Sequence, residues 1–187
     1  PSRPPSRRAA TDIESSSTAG SMGALRMTDM DLIVWRHADA GDAAPDLASD
    51  AGRRLTERGR KQAERMARWL QGRLPERYTV LSSPAMRARE TAEALGVKVR
   101  VDPRLAPDAD VADVLAALDW PEGPESRSRH VVVVGHQPTL GRLASLLMTG
   151  QEADWSIRKG AIWWLSTRER EGRGQVVLRA VMAPDLA

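Results

Sequence analysis

Four side chains in this sequence have the types and placement to handle an anionic group. His37 follows Arg36 at the end of an apolar run, Leu32-Ile33-Val34-Trp35. Arg87 lies one turn beyond Ser83-Pro84, and His136 follows Gly135 at the end of Val131-Val132-Val133-Val134. Taken singly, a histidine after a strand is more often structural than reactive, and an arginine in a helix is usually solvated. Two imidazoles and two guanidiniums at neighbouring strand ends are a less ordinary combination. Guanidinium matches the oxygens of a phosphoryl group bidentately. A neutral imidazole beside it has the lone pair to attack phosphorus and form a covalent phosphohistidine intermediate. Nearby arginine charges lower a histidine pKa and so favour the neutral, attacking form. Ser83-Pro84 reads as an N-cap followed by proline at the first helical position, which would add free backbone N–H groups near the same place. Ser83 is therefore counted with Arg36, Arg87 and His136 as a substrate-binding residue. Guanidiniums and a second imidazole would stabilise the transferring group, so neither a metal nor another cofactor is expected.

Composition narrows the alternatives. The 187-residue chain has no Cys, no Phe, one Tyr and three His. Without cysteine there are no disulfides, zinc ribbons or thiol nucleophiles. Only Lys61, Lys98 and Lys159 are lysines among 28 basic residues, and 25 acidic residues leave a net charge of +3. That surplus is too small and too scattered to predict a nucleic-acid partner. No apolar run reaches the roughly 20 residues needed to span a bilayer, so no membrane partner is expected and a cytoplasmic location is the default.

The elements that must position these groups follow from periodicity. Residues 1–29, rich in Pro, Ser, Gly and Ala, read as a disordered leader, and residues 30–187 as a single folded domain. Strands are predicted at 32–35, 79–82, 97–101, 131–134, 161–165 and 176–182, and residues 38–54 as loop. Thr56 caps a helix carrying Ala63, Met66, Ala67 and Leu70 on one face. Further helices are predicted from Ser83 to about Leu95, over 111–118, and from Pro138 onward with Leu140, Leu143, Ala144 and Leu147 on one face. Strands alternating with helices predict an α/β fold, a mostly parallel central sheet with helices on both faces. In such sheets ligands bind at the carboxyl ends of the strands, where all four residues fall.

The segments VWRHADA (34–40), LTERG (55–59), SSPAMRARETAE (82–93) and VVVVGHQPTLG (131–141) resemble the histidine phosphatase superfamily, also called phosphoglycerate mutase-like. More narrowly they resemble its short branch of SixA-type phosphohistidine phosphatases. The stretch 48–56, the Val181-Met182-Ala183-Pro184 ending and the short spacing between motifs also fit that branch. The resemblance spans about residues 30–184. It implies His37 as nucleophile, Arg36 and Arg87 as phosphoryl clamps, and His136 as the second imidazole. Two positions depart from the family pattern. Ala38 stands where glycine is usual, and the region 104–110 lacks the glutamate acid of mutase and broad-phosphatase members, offering only Asp108 and Asp110.

That missing acid bears on substrate. An alkoxide leaving group benefits from a positioned proton donor, whereas a phosphohistidine with its distal ring nitrogen protonated can leave as neutral imidazole. The first reading is thus a metal-independent phosphatase for phosphohistidine on a protein partner, with phosphate or another oxyanion occupying the site. The second is a small-molecule phosphomonoesterase or mutase using Asp108 or Asp110. The third, a non-catalytic phosphate-binding module, would have no use for His37. The bland readings fall to the remaining residues. His130 is expected in an exposed loop without a role, and Trp163 and Trp164 on opposite faces of a strand with at least one in the core. The Arg53-Arg54 and Arg58-Arg60-Lys61 charges read as solvated, Asp39 and Asp42 as loop residues.

Overall fold

The structure is a computed structural model that describes residues 29–43, 46–121, 123–124, 129–170 and 173–187. The predicted leader, apart from Asp29, lies outside the described residues.

Among the described residues six strands form one sheet: β1 (Asp31–Arg36), β2 (Thr79–Ser82), β3 (Val99–Val101), β4 (His130–Gly135), β5 (Ile162–Arg170) and β6 (Arg173–Met182), in the order β3-β2-β4-β1-β5-β6. The four strands β3, β2, β4 and β1 pair in parallel, and β5 and β6 add an antiparallel edge beside β1. The helices are α1 (Leu47–Gly52), α2 (Glu57–Gln71), α3 (Met86–Glu93), α4 (Val111–Leu118) and α5 (Thr139–Thr149).

Because successive strand residues point to opposite faces, the central strands divide their side chains between two apolar layers. Leu32, Val34, Leu81, Val131, Val133 and Leu165 pack with Val111, Val114 and Leu118 of α4 and Leu140 and Leu143 of α5. Ile33, Trp35, Val80, Val132, Val134, Ile162 and Trp164 pack with Met66, Ala67 and Leu70 of α2 and Ala88 and Ala92 of α3. Both faces are covered, which is why these central strands are apolar throughout. Trp163 and Trp164 face opposite layers as expected: Trp164 is buried beside Trp69, and Trp163 packs against Trp155.

Several predicted boundaries shift. The segment 38–54 contains α1, capped by Asp46, whose side chain accepts from the Ser49 N–H at 2.9 Å. At six residues this helix is too short to show a hydrophobic period, and contacts with the rest of the fold hold it. α3 starts at Met86 rather than beside Ser83, because the Ser83 N–H still bonds the Val134 carbonyl at 3.0 Å and extends the sheet pairing past β2. β3 is confined to 99–101, after a turn at Gly96 whose φ is +67°. His130 is not in a loop. It opens β4 opposite Asp31, with Nε2 3.3 Å from the Asp31 carboxylate, at the far end of the strand from His136. Among the described residues no helix is long and apolar enough to cross a membrane.

Candidate active site

Parallel pairing in register brings three strand ends together. Arg36 lies opposite Gly135, and Ser82 opposite Val134, so the residues that follow β1, β2 and β4 emerge side by side. His37 continues the pairing through its N–H, which bonds the Gly135 carbonyl at 3.1 Å. The four residues singled out in the sequence meet here, and Arg36, His37, Arg87 and His136 all line one cleft of about 630 Å³.

Each imidazole is held by a defined partner. His37 Nδ1 lies 2.8 Å from the Ala38 carbonyl oxygen. A carbonyl only accepts, so Nδ1 carries the proton and Nε2 keeps the lone pair. His136 Nε2 lies 2.8 Å from Ser83 Oγ, and its Nδ1 has no hydrogen-bond partner among the described residues. Ser83 also accepts from the Ala85 N–H at 3.2 Å, so it orients His136 and the entry to α3. Both rings are buried. Burial lowers the pKa of His37 to about 4, with Arg87, Arg36 and Arg53 pushing the same way and the Ala38 carbonyl opposing. Burial likewise lowers His136 to about 3, reinforced by His37, Arg87 and Arg36. Both are neutral at physiological pH.

The guanidiniums are set from outside the histidine loops. Arg36 Nη1 donates to the Ile157 carbonyl at 2.6 Å, while its Nε has no partner among the described residues. Arg87, the second residue of α3, is almost fully buried. Its Nη1 donates to the Asp50 carbonyl at 2.6 Å and its Nη2 to the Asp50 carboxylate at 2.8 Å, and Nε is likewise unpartnered. Buried N–H groups facing no acceptor are costly, and an oxyanion in the cleft would supply acceptors.

The backbone around the histidine is tied down by residues that sequence reasoning passed over. The Ala38 N–H donates to Thr91 Oγ1 at 3.0 Å, and that hydroxyl donates to the Arg87 carbonyl at 2.6 Å, joining the His37 loop to α3. Asp39 is a loop residue as expected, but its carboxylate takes Lys159 Nζ at 2.8 Å and Thr56 Oγ1 at 2.9 Å, and its N–H bonds Gln62 Oε1. Arg53 is not on a solvated helix face. It donates through Nε and Nη2 to the Asp50 carboxylate and through Nη1 to the Ala40 and Gly41 carbonyls. Arg53, Lys159, Gln137, Asp42, Asp46 and Asp50 line the cleft with the four expected residues. Only the run of loop acids before two arginines hinted at this, and its pairing depends on the fold.

Asp108 and Asp110 are not in the cleft. Asp110 caps α4 by accepting from the Asp113 N–H at 2.8 Å, and Asp108 lines a separate depression with Pro103 and Arg104. From the region 104–110, Pro107 reaches the cleft instead. Among the described residues no three His, Cys, Asp or Glu side chains group as a metal-ligand set.

Comparisons with known proteins place the chain in a family. The sequence model of the histidine phosphatase superfamily (branch 1) matches residues 32–108. The chain is 38% identical over 130 residues to phosphohistidine phosphatase SixA of Escherichia coli, covering 65% of this chain and 76% of that protein. An uncharacterized protein of Picosynechococcus is 38% identical over 128 residues, covering 65% of this chain and 75% of its own. A solved structure of the protein histidine phosphatase SixA complexed with tungstate superposes with a TM-score of 0.65 at 34% identity, over 83% of this chain and 98% of that one. The chain belongs to the histidine phosphatase superfamily.

Proposed function

We propose that this chain is a phosphohistidine phosphatase that hydrolyses phosphohistidine on a protein partner, with His37 Nε2 as the nucleophile. The observation that carries this reading is the fixed tautomer of His37. With Nδ1 bonded to the Ala38 carbonyl, the lone pair of Nε2 is available in a cleft walled by two guanidiniums and a second imidazole. Attack by that lone pair forms a bond from Nε2 to phosphorus and breaks the bond from phosphorus to the substrate imidazole. The bonding pair stays on the leaving nitrogen. If the distal nitrogen of the substrate ring carries a proton, the ring departs neutral and no proton moves in this step. Water then attacks phosphorus, the bond to His37 breaks, and dihydrogen phosphate and neutral His37 are regenerated in balance. Arg36, Arg87 and His136 hold the phosphoryl oxygens while charge redistributes.

The choice of substrate rests on which carboxyl groups reach the cleft. Leaving alkoxides need a proton donor, and neither Asp108 nor Asp110 lines the cleft. Of the carboxylates that do, Asp50 has both oxygens occupied by guanidinium donors, Asp46 caps α1, and Asp42 is an exposed loop residue rather than a buried acid. That the SixA relative was solved in complex with tungstate, an oxyanion, supports a phosphoryl-binding reading.

The test is a substrate comparison with chelator present throughout. A histidine-phosphorylated protein is expected to turn over with a kcat/KM about 100-fold or more above those of phosphomonoesters, the order of effect that a positioned acid supplies. Faster hydrolysis of the esters would remove the phosphohistidine assignment, and loss of all turnover in chelator would remove the metal-free mechanism.

A further inference from the structure

Arg87 and Arg53 share one carboxylate. Asp50 Oδ1 takes Arg53 Nη2 at 2.8 Å and Nε at 3.0 Å, and Oδ2 takes Arg87 Nη2 at 2.8 Å. The Asp50 backbone carbonyl adds a fourth bond, from Arg87 Nη1 at 2.6 Å. Both terminal nitrogens of Arg87 are thus gripped by one residue, and its side chain is only 4% exposed. Arg53 in turn fixes Asp50, because its own Nη1 is anchored on the Ala40 and Gly41 carbonyls at 3.0 and 3.1 Å, in the loop that follows His37. The chain of bonds therefore runs from the His37 loop through Arg53 and Asp50 to Arg87. A buried guanidinium on a long, flexible side chain has several rotamers available, and a bidentate partner selects one.

We infer that Asp50 is a positioning residue for phosphoryl transfer, holding Arg87 in the single orientation from which it meets the phosphoryl group. This rests on the reading of Arg87 as a phosphoryl clamp. Both oxygens of Asp50 are taken up as acceptors for guanidiniums. Its influence passes through Arg87, so it should vanish when Arg87 is absent. A carboxylate that merely competed with substrate for Arg87 would act in the opposite sense, because its removal would free the clamp.

A double-mutant cycle separates these cases. Asp50→Ala is expected to lower kcat/KM by about tenfold or more, the scale of a misplaced catalytic group, with the loss mainly in kcat. The inhibition constant of orthovanadate should rise in parallel. In an Arg87→Ala background the same substitution should change kcat/KM by less than about twofold, since the two sites are coupled. Asp50→Asn keeps the shape and one acceptor oxygen, and should show a smaller loss with the same dependence on Arg87. It serves if Asp50→Ala does not fold. Equal losses in both backgrounds, or tighter vanadate binding after Asp50 is replaced, would overturn the inference while leaving Arg87 as a clamp. Full activity and full vanadate affinity in Arg87→Ala alone would remove the reading of Arg87, and this inference with it.

Discussion

The rings of His37 and His136 lie with centroids 5.1 Å apart and planes tilted by 51°. They follow β1 and β4, adjacent parallel strands paired without a register shift from Asp31–His130 to Arg36–Gly135. The imidazole pair is thus a direct product of sheet register, and a one-residue slip of either strand would turn its side chains to the wrong face. Burial lowers the proton affinity of both rings, nearby arginines add to it, and His37 further lowers His136. The following expectations derive from that pairing and from the contacts around it.

Activity should tolerate acid further than an ordinary histidine enzyme does. His37 is lowered from 6.5 to about 4, so the attacking form persists as pH falls through 6.5 and is lost only near 4. The profile of kcat/KM, corrected for spontaneous acid hydrolysis and for protonation of the substrate's own ring, should be level between pH 8 and 6 and drop below about 5. An acid limb centred near 6.5 would contradict the neutral, desolvated nucleophile.

Stability should follow the same groups. An unfolded histidine binds its proton near 6.5, while folded His37 and His136 resist it down to about 4 and about 3. Between those values the unfolded state holds more protons, so stability is full above 6.5 and declines as pH falls through the window. Urea midpoints measured from pH 7.5 to 4.5 should decrease for the wild type. They should decrease less for His37→Asn/His136→Asn. An equal slope in both proteins would assign the acid sensitivity to other groups.

Arg36→Lys is expected to be far from silent. Its Nη1 reaches the Ile157 carbonyl while Nε remains without a partner among the described residues. An ammonium group offers no such fork, so one contact is lost whichever it keeps. A fall of about ten- to a hundredfold in kcat/KM is expected, with thermal stability changed little. Wild-type kinetics would mean that Arg36 contributes charge alone.

Gly59→Ala should destabilise the protein although it lies in a helix. Alanine gains about 1 kcal/mol in helix propensity over glycine. A Cβ at Gly59 would, however, sit 1.9 Å from the Asp39 carbonyl oxygen, a backbone atom held by the Thr56 N–H. Overpacking of that kind costs about 1–3 kcal/mol, so the clash outweighs the propensity. Chemical unfolding should show a net loss and kcat should fall with it, because Asp39 stands two residues from His37. An unchanged or raised midpoint would show that the loop yields without cost.

What the sequence made legible followed from local rules. The apolar runs of β1, β2 and β4, the Thr56 cap and the 111–118 helix were readable because burial and capping leave local patterns. Arg36, His37, Arg87 and His136 stood out because strand ends in parallel sheets converge. The roles of Asp50, Arg53, Thr91 and Lys159 were not readable. Their partners lie far along the chain, as in Arg87–Asp50, Thr91–Ala38 and Lys159–Asp39, and no periodicity encodes such pairings. Ser83 does not cap α3, for a similar reason. Its backbone bond to Val134 keeps it in the sheet, and its hydroxyl turns to His136.

The central claim is covalent transfer to one nitrogen of one histidine, and the phosphoenzyme tests it most directly. Rapid quenching in alkali during turnover, followed by peptide mapping and phosphorus NMR, locates both the residue and the ring position. The account predicts phosphate on His37 at Nε2, since Nδ1 is committed to the Ala38 carbonyl, and no label in His37→Ala. Phosphate on Nδ1, on His136, or on no histidine while turnover proceeds would contradict it.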